Sequence, residues 1–253
     1  MASTVLGMLM VLFLVVPLVG SLASSATSLP TVLTDRRTLD AISLSFYAAL
    51  LATVLSFVLG VPLAYLLTRS SFPGRGLLDS LIDLPIIIPH NAAGIALLTV
   101  LSPSSPIGAL LEAWGVRTVD SVTGIVIAMA FVSAPFMIRS AQEAFESVSP
   151  RLERMARSLG ATEVKMYVSV TLPLASHGIL TGCLLTWARA VSEFGAVAML
   201  AYYPKTAAVL LYDVFTGEGL RAALPINGLL LLLAVVLLFV FRSVTAKPTK
   251  LVR

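Results

Sequence analysis

The sequence predicts an all-α integral membrane protein of about six transmembrane helices, with one long cytoplasmic loop between helices 4 and 5. Three observations lead there. Of the 253 residues, 58% are hydrophobic and only 12% charged, and mean hydropathy is +0.97, whereas soluble domains sit near 45–50% apolar and about 25% charged. The excess comes in blocks of about 20 residues, the length that crosses a bilayer core of roughly 30 Å. Lys and Arg gather at the ends of those blocks and form no continuous polar face.

The blocks run over 4–23, 43–68, 83–102, 121–141, 174–201 and 222–242. Each is read as a helix, because a span in lipid must satisfy its own backbone hydrogen bonds. Pro17 and Pro62 fall inside blocks and are expected to kink them. The first block has no Lys or Arg before it and is read as a retained helix, not a signal peptide. No internal repeat or linker splits the chain, so 1–253 is read as a single transmembrane domain, with the loop over 142–173.

Orientation follows from the basic residues. The connections after blocks 2 and 4 and the C-terminal tail carry Arg69, Arg75, Arg139, Arg151, Arg154, Arg157, Lys165, Arg242, Lys247, Lys250 and Arg253. The opposite side carries only Arg36, Arg37, Arg117, Lys205 and Arg221. Both termini are therefore expected in the cytoplasm of a multi-pass protein of the cell membrane. The net charge of +4 reflects this topology and not a nucleic-acid surface.

Chemistry-bearing clusters are sparse. Cys183 stands alone inside a block and reads as a small buried hydrophobe. His90 and His177 lack metal-ligand spacing. No Ser/His or paired-Asp arrangement marks a catalytic centre, and no Gly-x-x-x-x-Gly-Lys-Ser/Thr run marks a phosphate cradle. No catalytic residue, metal or bound cofactor is expected of this chain.

The long loop has internal order. Ser149 suits an N-cap, Pro150 a first helical position and Gly160 a C-terminal stop, which predicts a helix over about 150–159. Leu152, Met155, Ala156 and Leu159 share one face, with Arg151, Arg154 and Arg157 off it. Such a helix can lie on the membrane surface, pack on its own bundle, or dock in a groove of a partner. A further helix can start after Thr162 and run to Pro173.

Two spots in the blocks carry polar groups. Gly182, Thr186, Arg189 and Glu193 fall on one helical stripe. A charge within a membrane helix is costly and faces the bundle interior or water. Arg189 and Glu193 then form either an i,i+4 pair that holds helices together or one wall of a solute path. His90 and Asn91, after Pro89, either bond to an opened helical turn or line such a path. Asp83 reads as an interfacial or N-terminal charge.

The loop resembles the cytoplasmic Glu-Ala-Ala loop of ABC-importer permeases. Ala156, Gly160, Leu172 and Pro173 fall at its spacing, Val170 stands for Ile, and Arg154 and Met155 depart from the first two positions of the triplet while Glu153 lies one residue earlier. The resemblance extends over about Tyr47 to Pro225. Within it, Asp83-Leu-Pro-Ile-Ile-Ile-Pro-His-Asn-Ala-Ala-Gly94, Trp187-Ala-Arg-Ala-Val-Ser-Glu-Phe-Gly195 and Ala201-Tyr-Tyr-Pro204 are similar to the molybdate/tungstate branch, with sulfate permeases as near relatives.

The resemblance implies an ATPase-coupling loop at Glu153, Ala156, Gly160, Leu172 and Pro173. It implies a path lined by Arg189, Glu193, Thr186, His90 and Asn91, and import of a tetrahedral oxyanion. The partners it implies are a second copy of the chain, two ATPase subunits that bind ATP and Mg, and an extracytoplasmic oxyanion-binding protein. The alternative from another class is an ion-coupled secondary anion transporter, in which Arg189, Glu193 and His90 serve as relay groups. The loop and the lack of an inverted repeat weigh against it.

Overall fold

The computed structural model describes residues 2–245, so the tail positions Lys247, Lys250 and Arg253 lie outside the described residues. In chain order the helices are α1 Ala2–Ser25, α2 Leu29–Val32, α3 Arg36–Arg69, α4 Arg75–Ile87, α5 His90–Leu101, α6 Pro106–Ala113, α7 Val122–Glu146, α8 Pro150–Ser158 and α9 Glu163–Met166. A π-helical segment, Tyr167–Thr171, leads into α10 Leu172–Val191, followed by α11 Gly195–Leu200, α12 Ala207–Glu218 and α13 Leu220–Thr245. Among the described residues, five helical stretches are long and apolar enough to span a membrane, and the bent pair α4–α5 supplies a sixth crossing if counted as one.

Two expected spans differ from straight helices. Block 83–102 is broken: α4 and α5 meet at 114°. Ile88 sits at the break with ψ 146°, because the ring of Pro89 clashes with an α-helical residue before it. Block 174–201 begins earlier and stops sooner. The chain is helical from Glu163, and the π segment, closed by the Leu172 amide on the Tyr167 carbonyl, carries it through Pro173. The helix then ends at Val191, and Ser192 to Phe194 turn the chain into α11.

The described residues form two compact units, Ser45–Pro204 and the segments that flank it on either side. In the flanking unit α1 lies along α13, where the Asn227 amide donates to Ser21 Oγ at 2.7 Å. Val32, Ala41, Leu210, Val214, Ala223, Ile226 and Leu229 make its core. Arg37 reaches Asp213 at 3.0 Å.

The central unit is built around α7, more than half of whose apolar stretch is buried. Its main partner is α10, and small residues let the two backbones close up. A Cβ on Gly178 would lie 2.6 Å from that of Ala144, and one on Gly182 would lie 2.8 Å from that of Ser140. Four-residue spacing on both helices puts these contacts on one seam, the small-xxx-small packing that membranes favour where lipid gives no hydrophobic drive to helix association. At the loop end of the same seam Tyr65, Phe145 and Tyr167 stack at 4.7–6.1 Å over a core that includes Leu67, Met137, Val148 and Ile179.

Candidate functional site

The loop helix α8 forms where its end signals predict. Ser149 Oγ accepts from the Arg151 amide at 3.4 Å. At the other end Gly160 takes φ +85°, and its amide and that of Ala161 return to the carbonyls of Arg157 and Ala156, a Schellman stop.

What ties α8 to the bundle is a charge. Glu153 is 2% exposed. Its Oε1 accepts from Arg69 Nε at 3.1 Å and from Thr171 Oγ1 at 3.0 Å. Arg69, the last residue of α3, also donates to the carbonyls of Phe145 and Val148 at 3.0 and 2.8 Å, covering the C-terminal end of α7. One carboxylate thus joins α8 to α3 and to the π segment, and one guanidinium joins α3 to α7. Neither Arg69 nor Thr171 stood out in the sequence, although the isolated Arg at the end of block 2 was the available signal.

With Glu153 turned inward, the apolar row faces away from the protein. Leu152, Met155 and Leu159 are 41%, 62% and 88% exposed, and Ala156 is half-buried. Met155, Leu159, Arg151, Arg154 and Ser158 line a shallow concavity. Packing of that row on the chain's own bundle is therefore not what the structure has. Leu172 and Pro173 open α10 beneath the loop, half-buried and exposed respectively.

A second cluster lies at the break after α10. The sequence put Glu193 on a helical stripe; instead it sits beyond the helix end, fully buried, and its Oε1 accepts from the Ala196 amide at 2.9 Å, closing the first turn of α11. Its Oε2 lies 2.7 Å from Arg189 Nη2 and 3.0 Å from His90 Nδ1. Arg189 Nη2 is also 2.8 Å from His90 Nδ1. His90, two residues past the α4–α5 break, and Glu193, two past the α10 end, are brought together by the two helix breaks. Gly195 makes the approach close: a Cβ there would meet Asn91 Oδ1 at 2.5 Å and His90 Cβ at 2.8 Å.

Asn91 is exposed beside this cluster. Thr186 is fully buried, and its hydroxyl has no hydrogen-bond partner. Of the five candidate path residues, then, Arg189, Glu193 and His90 form one polar triad, and Thr186 stands apart from it.

A third charged group joins two helices: Arg139, counted with the loop charges, lies within α7, and Asp83, read as an interfacial or N-terminal charge, lies within α4. Arg139 on α7 grips Asp83 on α4 with both faces of its fork, Nε at 2.8 Å and Nη2 at 2.6 Å. It also reaches Asp79 Oδ1 at 3.0 Å and Gln142 Oε1 at 2.8 Å. A bidentate pair of this kind is the strong form of a charged hydrogen bond. An Arg in an apolar run is itself the signal that a partner is near. Among the described residues no group of three or more His, Cys, Asp or Glu side chains is placed to hold a metal ion.

The chain has relatives among known proteins. A molybdate/tungstate transport system permease protein of Thermococcus kodakarensis is 39% identical over 240 residues, 94% of this chain and 92% of its own length. A sulfate transport system permease protein of Synechocystis sp. is 31% identical over 239 residues, 91% of this chain and 84% of its own. In fold the chain is similar to one in the crystal structure of a bacterial ABC transporter involved in import of the acidic polysaccharide alginate, with a TM-score of 0.76 at 18% identity, covering 98% of this chain and 96% of that one. Residues 56–246 match the model of the binding-protein-dependent transport system inner membrane component. That match spans the Arg69–Glu153 tie, the Arg139 clasp and the His90–Arg189–Glu193 triad, and the chain belongs to this family of membrane-embedded transport components.

Proposed function

We propose that the chain is the membrane-spanning subunit of an ATP-driven importer that takes a tetrahedral oxyanion, molybdate or tungstate, from an extracytoplasmic binding protein. The observation that carries the proposal is the 39% identity, over 94% of the chain, to a permease named for those two anions. The geometry supports it. An apolar row that a water-soluble loop would hide is turned outward on α8, and a buried ion pair holds it there.

In this reading the row seats in a groove of a separate ATPase subunit, and Glu153 passes the ATPase's movement to α3 and the π segment. Ala156, Gly160, Leu172 and Pro173 keep the loop's shape. ATP and Mg sit on the ATPase, and this chain holds no cofactor of its own. Two copies of the chain pair, the default symmetry for such assemblies, and two ATPase subunits receive the two loops. On this reading the loop side, with the exposed Arg151, Arg154, Arg157 and Lys165, faces the cytoplasm, and the excess of Lys and Arg in the sequence on that side supports cytoplasmic termini.

Arg189, Glu193 and His90, with Asn91 beside them and Thr186 deeper in α10, lie along the anion's route. The Glu193 carboxylate offsets the Arg189 charge, so the triad attracts an oxyanion without trapping it. Sulfate is the second cargo, favoured by the 31% identical sulfate permease.

The test is uptake into liposomes that hold the complex of this chain with its ATPase, with loaded binding protein outside. ATP-dependent uptake of molybdate or tungstate in preference to sulfate is expected. Sulfate uptake alone would replace the cargo. Uptake that ignores ATP and follows an ion gradient would replace the class.

A further inference from the structure

Helix α6 wears its apolar side outward. Ile107, Leu110, Leu111 and Trp114 recur at i, i+3, i+4 and i+7 on one arc, with Gly108 and Glu112 opposite. Gly108 is buried, so close under the carbonyls of Leu101 and Ser102 that a Cβ could not be added. The helix is therefore seated on the protein by its small, polar side. Ile107, Leu110 and Trp114 are 53%, 50% and 72% exposed.

In a helix bathed in water the apolar arc turns to the core; here it is reversed. The neighbouring elements set the depth. α6 lies between the end of α5 and the start of α7, at the end of α7 opposite to α8, so it sits where the membrane crossings begin. The preceding helix α5 also leaves apolar side chains outside, Ile95 and Val100 both being exposed. Glu112 points to the other side, into a concavity shared with Arg117 and Asp120.

We infer that α6 lies in the lipid interface on the membrane face opposite to α8, with Ile107 and Leu110 among the acyl chains and Trp114 at headgroup level. Trp suits that depth because its ring is apolar and its N–H finds partners among headgroups. The bilayer then holds the α5–α7 connection at a set height, and the Glu112–Arg117–Asp120 side faces water. This inference stands apart from the cargo and needs only the membrane crossings.

The chain has two Trp. The other, Trp187, lies inside the central unit against Phe46, centroids 5.1 Å apart, so W187F leaves Trp114 alone in this chain, and subtracting the emission of the W114F/W187F complex removes that of any Trp in the partner subunits. The W187F chain, in its complex and in phosphatidylcholine vesicles brominated either near the headgroup or near the chain end, is read by fluorescence. The expected result is greater loss of emission from the shallow bromine than from the deep one, with weak quenching by acrylamide in the water. Strong acrylamide quenching with none from either bromine overturns the inference, and so does emission that changes only when the binding protein is added. Emission shielded from both quenchers places a second protein surface on α6 and also overturns it. Should W187F not assemble, the difference between wild type and W114F reads the same quantity.

Discussion

Glu153 is the residue on which the loop hangs, and its chemistry makes a sharp prediction. Removing one partner of a buried ion pair leaves the other charge without compensation, typically at about 3–5 kcal/mol. Arg69 keeps two carbonyl acceptors, so Glu153→Ala is expected near the lower end of that range, read as a fall in the thermal stability of the purified complex. Glu153→Gln retains the bond to Thr171 and should lose less.

At the other cluster, Arg189→Leu strands the buried Glu193 carboxylate with His90 and one backbone amide. It should lower both stability and uptake while the complex still assembles. Adding Glu193→Gln removes the stranded charge and should recover stability without recovering uptake, since coupled residues do not add. Recovery of both by the double variant would make the pair a structural tie. The charge of Arg189 and Glu193 was legible in the sequence, whereas their geometry was not. Nothing in the local pattern said that the helix ends at Val191, because no proline marks it and the apolar block runs on, while Glu193 accepts from the Ala196 amide and so opens α11 beyond the turn.

Among the elements, α8 and the α4–α5 pair show opposite degrees of legibility. The ends of α8 are written in local residues, Ser149, Pro150 and Gly160, and the helix falls one residue short of the predicted span. Gly160 has open space around it and φ +85°, so its cost on substitution is conformational and not steric. Gly160→Val should lose about 1–2 kcal/mol from the left-handed backbone and separate ATP hydrolysis from uptake in the reconstituted complex. Gly160→Asn should stay near wild type, because Asn tolerates this conformation. Equal behaviour of the two variants would remove the backbone from the explanation.

The 114° bend between α4 and α5 was concealed by hydropathy, which runs unbroken through 83–102. Pro89 carried the signal, and it is outweighed in any window average by the apolar residues around it. The seam between α7 and α10 was likewise readable as Gly178 and Gly182 four residues apart, but only beside a partner helix whose own small residues, Ser140 and Ala144, lie at the same spacing.

For the molecule as a whole, the charges inside the central unit act as fasteners. Arg69 joins α3, α7 and α8, and Arg139 joins α7 to α4. The loop helix, the bent pair and the central helix are thereby tied by side chains whose partners lie 56 to 84 residues away in sequence, which is why composition gave them only as topology markers. In the proposed function, a push on α8 would reach α3 and the π segment through Glu153, and α7 and α4 through Arg69 and Arg139. The outward apolar row on α8 is the surface on which such a push can act.

The most direct test is a photo-crosslinker at Leu159, 88% exposed at the end of that row, in the complex isolated from its native membrane. The account predicts a covalent adduct with the ATPase subunit, lost when the row is made polar by Leu152→Glu and Met155→Glu. An adduct with lipid, or with this chain's own helices, and none with an ATPase would contradict it.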